Sequence, residues 1–182
     1  MSRILLVLPL CLLVVAPASA QPGKDAVKKV EAVFEPAEAK PGQTVTLKIT
    51  VELADGYYSY PTVQPAPEGK YSTNSVVFPT GGPIVFVGQT ADPAGPKTKR
   101  IEDYDLLTYP GGGTWTRKAV VAPSAKPGAA TTKVKFKLLV CEEDRCFPPK
   151  THELEATLKV LDGPPVDVDP KYKAEVEKAE KK

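Results

Sequence analysis

Residues 44–53 alternate without a break: Val45, Leu47, Ile49, Val51 and Leu53 are apolar, and Thr44, Thr46, Lys48, Thr50 and Glu52 between them are polar. A period of two places all five apolar side chains on one face of an extended strand, whereas a helical period would scatter them. The same alternation sets Val134, Phe136, Leu138 and Val140 against Lys133, Lys135 and Lys137, and returns at Leu154, Ala156, Leu158 and Val160. Shorter candidate strands lie at 30–34, 57–60, 75–78, 84–87 and 114–121, with turns at Pro36, Pro41-Gly42, Gly81-Gly82-Pro83 and Pro127-Gly128. Twenty prolines and 13 glycines spread among these short runs argue against a helical bundle. The expected class is all-β, an immunoglobulin-like β-sandwich of about seven to eight strands.

The first twenty residues read differently. Arg3 is a short basic start, residues 4–15 are apolar, and Ala18-Ser19-Ala20 is a small-residue cleavage site before Gln21. This is the pattern of a secretory signal peptide over residues 1–20. The apolar run is shorter than the roughly 20 residues a spanning helix needs, and no later stretch approaches that length. The mature chain is therefore expected to be soluble, periplasmic or secreted, and to lose Cys11 with the signal. One domain is expected at residues 27–161, followed by a charged, solvated tail at 162–182 that begins with the breaker Asp162-Gly163-Pro164-Pro165. The formal charge of +2 is spread through the chain, and the absence of a basic patch argues against nucleic acid as a partner.

Loss of Cys11 leaves one pair, Cys141 and Cys146, in the run Val140-Cys141-Glu142-Glu143-Asp144-Arg145-Cys146-Phe147-Pro148-Pro149. In an oxidising compartment such a pair is expected to be bonded. A ring this small removes little chain entropy, about 2 kcal/mol against about 4.7 for a 100-residue loop, so as a staple it is poorly placed. The short spacing favours an exposed, exchangeable bond, although local disulfides also rigidify loops in secreted proteins. Glu142, Glu143 and Asp144 raise the pKa of a nearby thiol and Arg145 lowers it, which points to a selective rather than a generally reactive site.

Two motifs carry a family resemblance. The Cys-x4-Cys-Phe-Pro-Pro run at 141–149, followed by a strand at 151–160, and the segment Asp55-Gly56-Tyr57-Tyr58-Ser59-Tyr60 resemble, in order, segments of the N-terminal periplasmic domain of the thiol:disulfide interchange protein DsbD. That resemblance implies an immunoglobulin-like domain that passes electrons to periplasmic oxidoreductases. It implies that Cys146 forms mixed disulfides and Cys141 resolves them, and that Tyr58, Tyr60 and Phe147 line the site. It also implies a short cap loop, which Glu102, Asp103 and Tyr104 match in position; the family's Asp-Glu-Phe-Tyr-Gly run is not reproduced, and Gly111-Gly112-Gly113 differs. The implied partners are thioredoxin-like or disulfide-isomerase-like proteins, with a separate membrane electron transporter as the electron source. No cofactor or metal is implied.

Other readings are weaker. His152 is the sole histidine, which excludes a histidine-rich metal site and leaves a hydrolase without a nucleophile motif; its simplest role is surface filler. Trp115, flanked by Thr114 and Thr116, reads as a core aromatic. Glu142, Glu143 and Asp144 lack the spaced oxygen ligands of a calcium loop. The alternative to exchange is a non-catalytic secreted binding module in which the local disulfide only shapes a loop, with the proline-rich segments 61–67 and 92–96 as contact surfaces.

Overall fold

The computed structural model describes residues 25–101, 103–143 and 145–181. The expected signal segment with Cys11, together with Glu102 and Asp144, lies outside the described residues. In chain order the strands are β1 (Val27–Glu35), β2 (Glu38–Ala39), β3 (Thr44–Leu53), β4 (Tyr57–Ser59), β5 (Ser75–Val77), β6 (Ile84–Ala91), β7 (Lys97–Ile101), β8 (Tyr104–Pro110), β9 (Gly112–Val121), β10 (Gly128–Leu138), β11 (Cys141–Glu142), β12 (Arg145–Cys146) and β13 (Lys150–Val160), followed by an α-helix, α1 (Lys173–Glu180).

Two four-stranded sheets, β1-β3-β9-β6 and β2-β13-β10-β5, pack through their apolar faces as an immunoglobulin-like sandwich. The alternating residues do what their period requires: Val45, Leu47, Ile49, Val51 and Leu53 on β3 are all buried, as are Val134, Phe136 and Leu138 on β10. Trp115 on β9 is fully buried between them, with Tyr109 edge-on at 5.7 Å and Phe136 at 5.4 Å. Outward-facing Lys133 and Lys135 on β10 pair across the ladder with Glu155 and Glu153 on β13. These exposed pairs add little to stability.

The strand count exceeds the seven or eight expected because a third sheet, β12-β11-β4-β8-β7, continues past the ends of β3 and β10. It contains the hairpin β7–β8, which the sequence reading passed over. The chain returns from this hairpin into β9 through Gly112, whose φ is +96° and where a Cβ would collide with the Val51 carbonyl oxygen. Only glycine suits that crossing.

Two expectations need correction. Residues 162–182 are not simply a solvated tail. Val166 N–H donates to the Pro41 carbonyl at 2.9 Å, and Tyr172 and Val176 are buried against Val85, Val87, Val120 and Ala122. The Glu175 carboxylate accepts from Gly88 N–H at 3.0 Å, at the irregular end of the β6 ladder. Charge dominates the composition of this segment, but two apolar side chains four residues apart give the helix a face to dock.

His152, read as surface filler, is half-buried opposite Phe136 on β13, with Nε2 enclosed and without a hydrogen-bond partner among the described residues. Burial, and then the nearby Lys150 charge, hold its pKa below the ordinary 6.5. The unfolded chain therefore binds this proton more readily than the folded one. Stability is expected to fall as pH drops from about 6.5 towards the lowered folded value and to level off below it. Urea unfolding across that window checks this: His152→Leu should remove the acid-side step, and an unchanged pH dependence would contradict the assignment.

Candidate functional site

The third sheet is where the sulfur chemistry sits. After Leu138, the chain turns and forms the short hairpin β11–β12, whose turn residue Glu143 has φ +45°. Cys141 and Cys146 face each other across this hairpin and are joined by a disulfide, with Cα atoms 4.0 Å apart. On its other side Cys141 pairs with Tyr58 on β4. The two sulfur-bearing residues consequently have opposite environments: Cys141 lies in the interior of the sheet and is 0% exposed, whereas Cys146 lies on the edge strand and is exposed. Phe147 N–H closes the hairpin by donating to the Val140 carbonyl at 3.0 Å, and Pro148-Pro149 then interrupts the ladder before β13.

Tyr58, Tyr60, Leu106, Leu139 and Cys141 form a small buried cluster separate from the main core, with Tyr104 packed against it. The Tyr60 hydroxyl lies 3.5 Å from Cys141 Sγ and 3.6 Å from Cys146 Sγ. Burial, and then the hydrogen bond with Tyr58, push the Tyr60 phenol well above its ordinary pKa of 10.0, so it stays protonated. Tyr58 stands edge-on to Tyr60 at 5.6 Å, and its hydroxyl donates to the Glu143 carbonyl at 2.9 Å. Lys99, on β7, donates to the Tyr58 hydroxyl at 3.1 Å and also to the Glu143 carbonyl, and its ammonium lies 4.5 Å from the centre of the Tyr58 ring. One lysine thus ties the hairpin β7–β8 to the turn between the cysteines.

Arg145, next to Cys146, is paired. Arg145 bonds the Glu142 carboxylate and stacks over Phe147 at 5.2 Å, while Phe147 sits 6.1 Å from Tyr57. Arg145, and then the Tyr57 hydroxyl, hold the Glu142 carboxyl below the usual carboxylate range. Of the acids expected to raise a thiol's pKa, Glu142 is therefore offset by the arginine expected to lower it. Next to it an open groove of about 600 Å³ runs between Tyr57, Tyr58, Lys97, Lys99, Pro110 and Glu143.

Of the residues singled out from sequence, the structure brings Cys141, Cys146, Tyr58, Tyr60 and Tyr104 to one place and sets Phe147 beside them. Tyr104 begins β8 rather than lying in a loop, and Asp103 is exposed in the turn between β7 and β8. Glu102 lies outside the described residues. Sequence reasoning missed Lys99, Leu106 and above all Asn74, which is 1% exposed. The Asn74 side chain donates to the Tyr60 carbonyl at 2.6 Å and accepts from Leu139 N–H at 2.9 Å, bridging β4 to the segment that leads into Cys141. The Ser59 hydroxyl, fully buried, adds a bond to the Leu139 carbonyl at 2.8 Å. A buried amide can meet such mixed demands because it carries donors and an acceptor together.

Residues 24–158 match the family model described as thiol:disulfide interchange protein DsbD, N-terminal. Among solved structures, the chain is similar to the N-terminal periplasmic domain of ScsB from Proteus mirabilis, with a TM-score of 0.53 and 14% identity over 90% of this chain and 56% of that one. That likeness concerns the fold, and the chain spans little more than half the length of the ScsB domain. A type I cohesin–dockerin complex from Clostridium thermocellum aligns at a TM-score of 0.31 and 12% identity, over 74% of this chain and 100% of that one, too distant to inform the site. No curated protein matches the chain.

Proposed function

The chain belongs to the family of the N-terminal domain of the thiol:disulfide interchange protein DsbD, and from that premise we propose that it is an exported exchange domain whose Cys141–Cys146 bond relays electrons to or from partner oxidoreductases. The observation that carries this reading is the asymmetry of the pair: one cysteine exposed on an edge strand, the other enclosed behind it. A partner thiolate can reach Cys146 without unfolding the domain, and exchange depends on such access. A purely structural bond gains nothing from setting one of its cysteines on an exposed edge.

In this reading Cys146 is the exchange cysteine and Cys141 the resolving one. With the domain reduced, the Cys146 thiolate attacks a partner disulfide and releases one partner thiolate. The Cys141 thiolate then attacks Cys146 Sγ, reforming the intramolecular bond and releasing the second partner thiolate. Two electrons pass to the partner. Reduction of the domain runs the same steps backwards. The partners are thioredoxin-like or disulfide-isomerase-like proteins, and a membrane electron transporter supplies the electrons. The groove beside Tyr58 and Lys99 gives room for the partner chain that must approach Cys146. A periplasmic or secreted location follows from the signal pattern at residues 1–20.

The test is the equilibrium reduction potential of the Cys141–Cys146 bond, titrated against a thiol buffer and read by alkylation mass shift. A value of about −120 to −270 mV, the span of known exchange proteins, is expected. A value well below about −300 mV would make the bond structural and turn the search to a binding surface.

A further inference from the structure

We propose that Tyr60 is a catalytic residue of the exchange reaction: its hydroxyl donates the hydrogen bond that holds the electron pair arriving on Cys141 Sγ when the disulfide opens. The inference rests on the exchange reading above and adds a chemical role for one side chain.

Cys141 is enclosed, with β4 on one side and β12 on the other, and is 0% exposed. A thiolate formed there receives no solvation from bulk water, and an unsolvated thiolate is a poor leaving group. Among the described residues, the one side-chain group within hydrogen-bonding distance of Cys141 Sγ, apart from its disulfide partner, is the Tyr60 hydroxyl at 3.5 Å. Tyr60 is 1% exposed, and its placement is fixed from two sides. Asn74 holds the Tyr60 carbonyl at 2.6 Å, and Tyr58 packs edge-on at 5.6 Å. The titratable groups that face it besides the cysteines are Tyr58 and Tyr104. Burial keeps the Tyr60 phenol protonated, so it serves as a donor without losing its proton.

In the reducing direction a partner thiolate attacks Cys146 Sγ. The partner–Cys146 disulfide forms, the Cys141–Cys146 bond breaks, and the electron pair leaves on Cys141 Sγ as a thiolate that accepts from Tyr60 Oη. A second partner thiolate then attacks the partner sulfur of the mixed disulfide. This releases the Cys146 thiolate, which takes a proton from water, and leaves the partner oxidised. Tyr60 also lies 3.6 Å from Cys146 Sγ, but Cys146 is exposed and has water as an alternative donor. The hydroxyl therefore matters most for steps in which Cys141 carries charge.

The experiment pairs Tyr60→Phe, which removes the hydroxyl and little volume, with a fluorotyrosine at the same position, whose more acidic phenol is the stronger donor. In a Cys146→Ala background, the Cys141 thiol is titrated by the ultraviolet absorbance of its thiolate. Tyr60→Phe is expected to raise the midpoint by about one pH unit or more, and fluorotyrosine to lower it. In the otherwise intact domain, Tyr60→Phe is expected to slow reduction by dithiothreitol about tenfold or more, and fluorotyrosine to speed it. Circular dichroism checks that each variant is folded, and fluorotyrosine decides the matter if the Phe variant is not. Unchanged midpoints and rates, in a protein whose unsubstituted bond is readily reduced, overturn the role of Tyr60. An unsubstituted bond that resists dithiothreitol until the domain unfolds overturns the exchange reading itself, and the inference with it.

Discussion

Cys141→Ala is expected to accumulate mixed disulfides through Cys146, and Cys146→Ala to accumulate almost none. The difference follows from position. With Cys141 removed, Cys146 stays on the edge strand β12, exposed and without an internal partner to expel whatever it has captured. With Cys146 removed, the surviving thiol is 0% exposed, walled in by Tyr58, Tyr60, Leu106 and Leu139. Attack on a partner disulfide needs the nucleophile, the central sulfur and the leaving sulfur nearly in line, and a thiol inside a packed cluster cannot reach that geometry. Turnover should fall to background in both variants, because each lacks half of the dithiol; only the trapped intermediate tells them apart. The readout is mass spectrometry under non-reducing conditions after incubation with an oxidised thioredoxin-like protein. Equal trapping by the two variants would overturn the assignment of roles while leaving exchange itself standing.

How much of this was legible in the sequence depends on whether a residue's purpose is local. The strands of the sandwich announce themselves because each buries one face, so the period of two at residues 44–53 and 134–140 is a direct print of the core. The cysteine spacing and the Asp-Gly-Tyr-Tyr-Ser-Tyr segment are likewise contiguous, and both landed in the site. The hairpin β7–β8 left no such print. Lys97, Thr98, Lys99 and Arg100 are polar throughout, since β7 is an edge strand with a solvated face, and β8 splits its burial between two clusters, Leu106 with Tyr58, Tyr60, Leu139 and Cys141, and Tyr109 against Trp115. Tyr172 and Val176 were outvoted by the charges around them. Asn74 carries no signal of its own in the sequence, because its partners, Ser59, Tyr60 and Leu139, lie 14 to 65 residues away. No window of local sequence holds both ends of those bonds.

Asn74 is also where the second large effect is expected. Its side chain satisfies the Leu139 N–H at 2.9 Å and the Tyr60 carbonyl at 2.6 Å, and bonds the Ser59 hydroxyl at 2.9 Å, all in a region closed to water. Asn74→Ala strands the first two backbone groups, at about 1–3 kcal/mol for each buried group left without a partner, so a loss of about 2–5 kcal/mol of unfolding free energy is expected. Asn74→Asp separates the contributions. It keeps an acceptor for Leu139 N–H but sets a carboxylate oxygen against the Tyr60 carbonyl, where the amide had a donor. That environment disfavours the ionised form and raises the folded-state pKa above the unfolded value of about 3.9. With the folded pKa the higher of the two, the Asp variant should be strongly destabilised at neutral pH and regain stability as pH falls through the raised value, when the protonated acid can donate again. Urea unfolding at neutral and mildly acid pH distinguishes the cases. A cost below about 1 kcal/mol for Asn74→Ala would mean that β4 and the Leu139 segment hold their register without the amide. A cost in the expected range would mean that the Tyr60 hydroxyl keeps its place against the two sulfurs because a buried asparagine, remote in sequence from both cysteines, fixes the backbone that carries it.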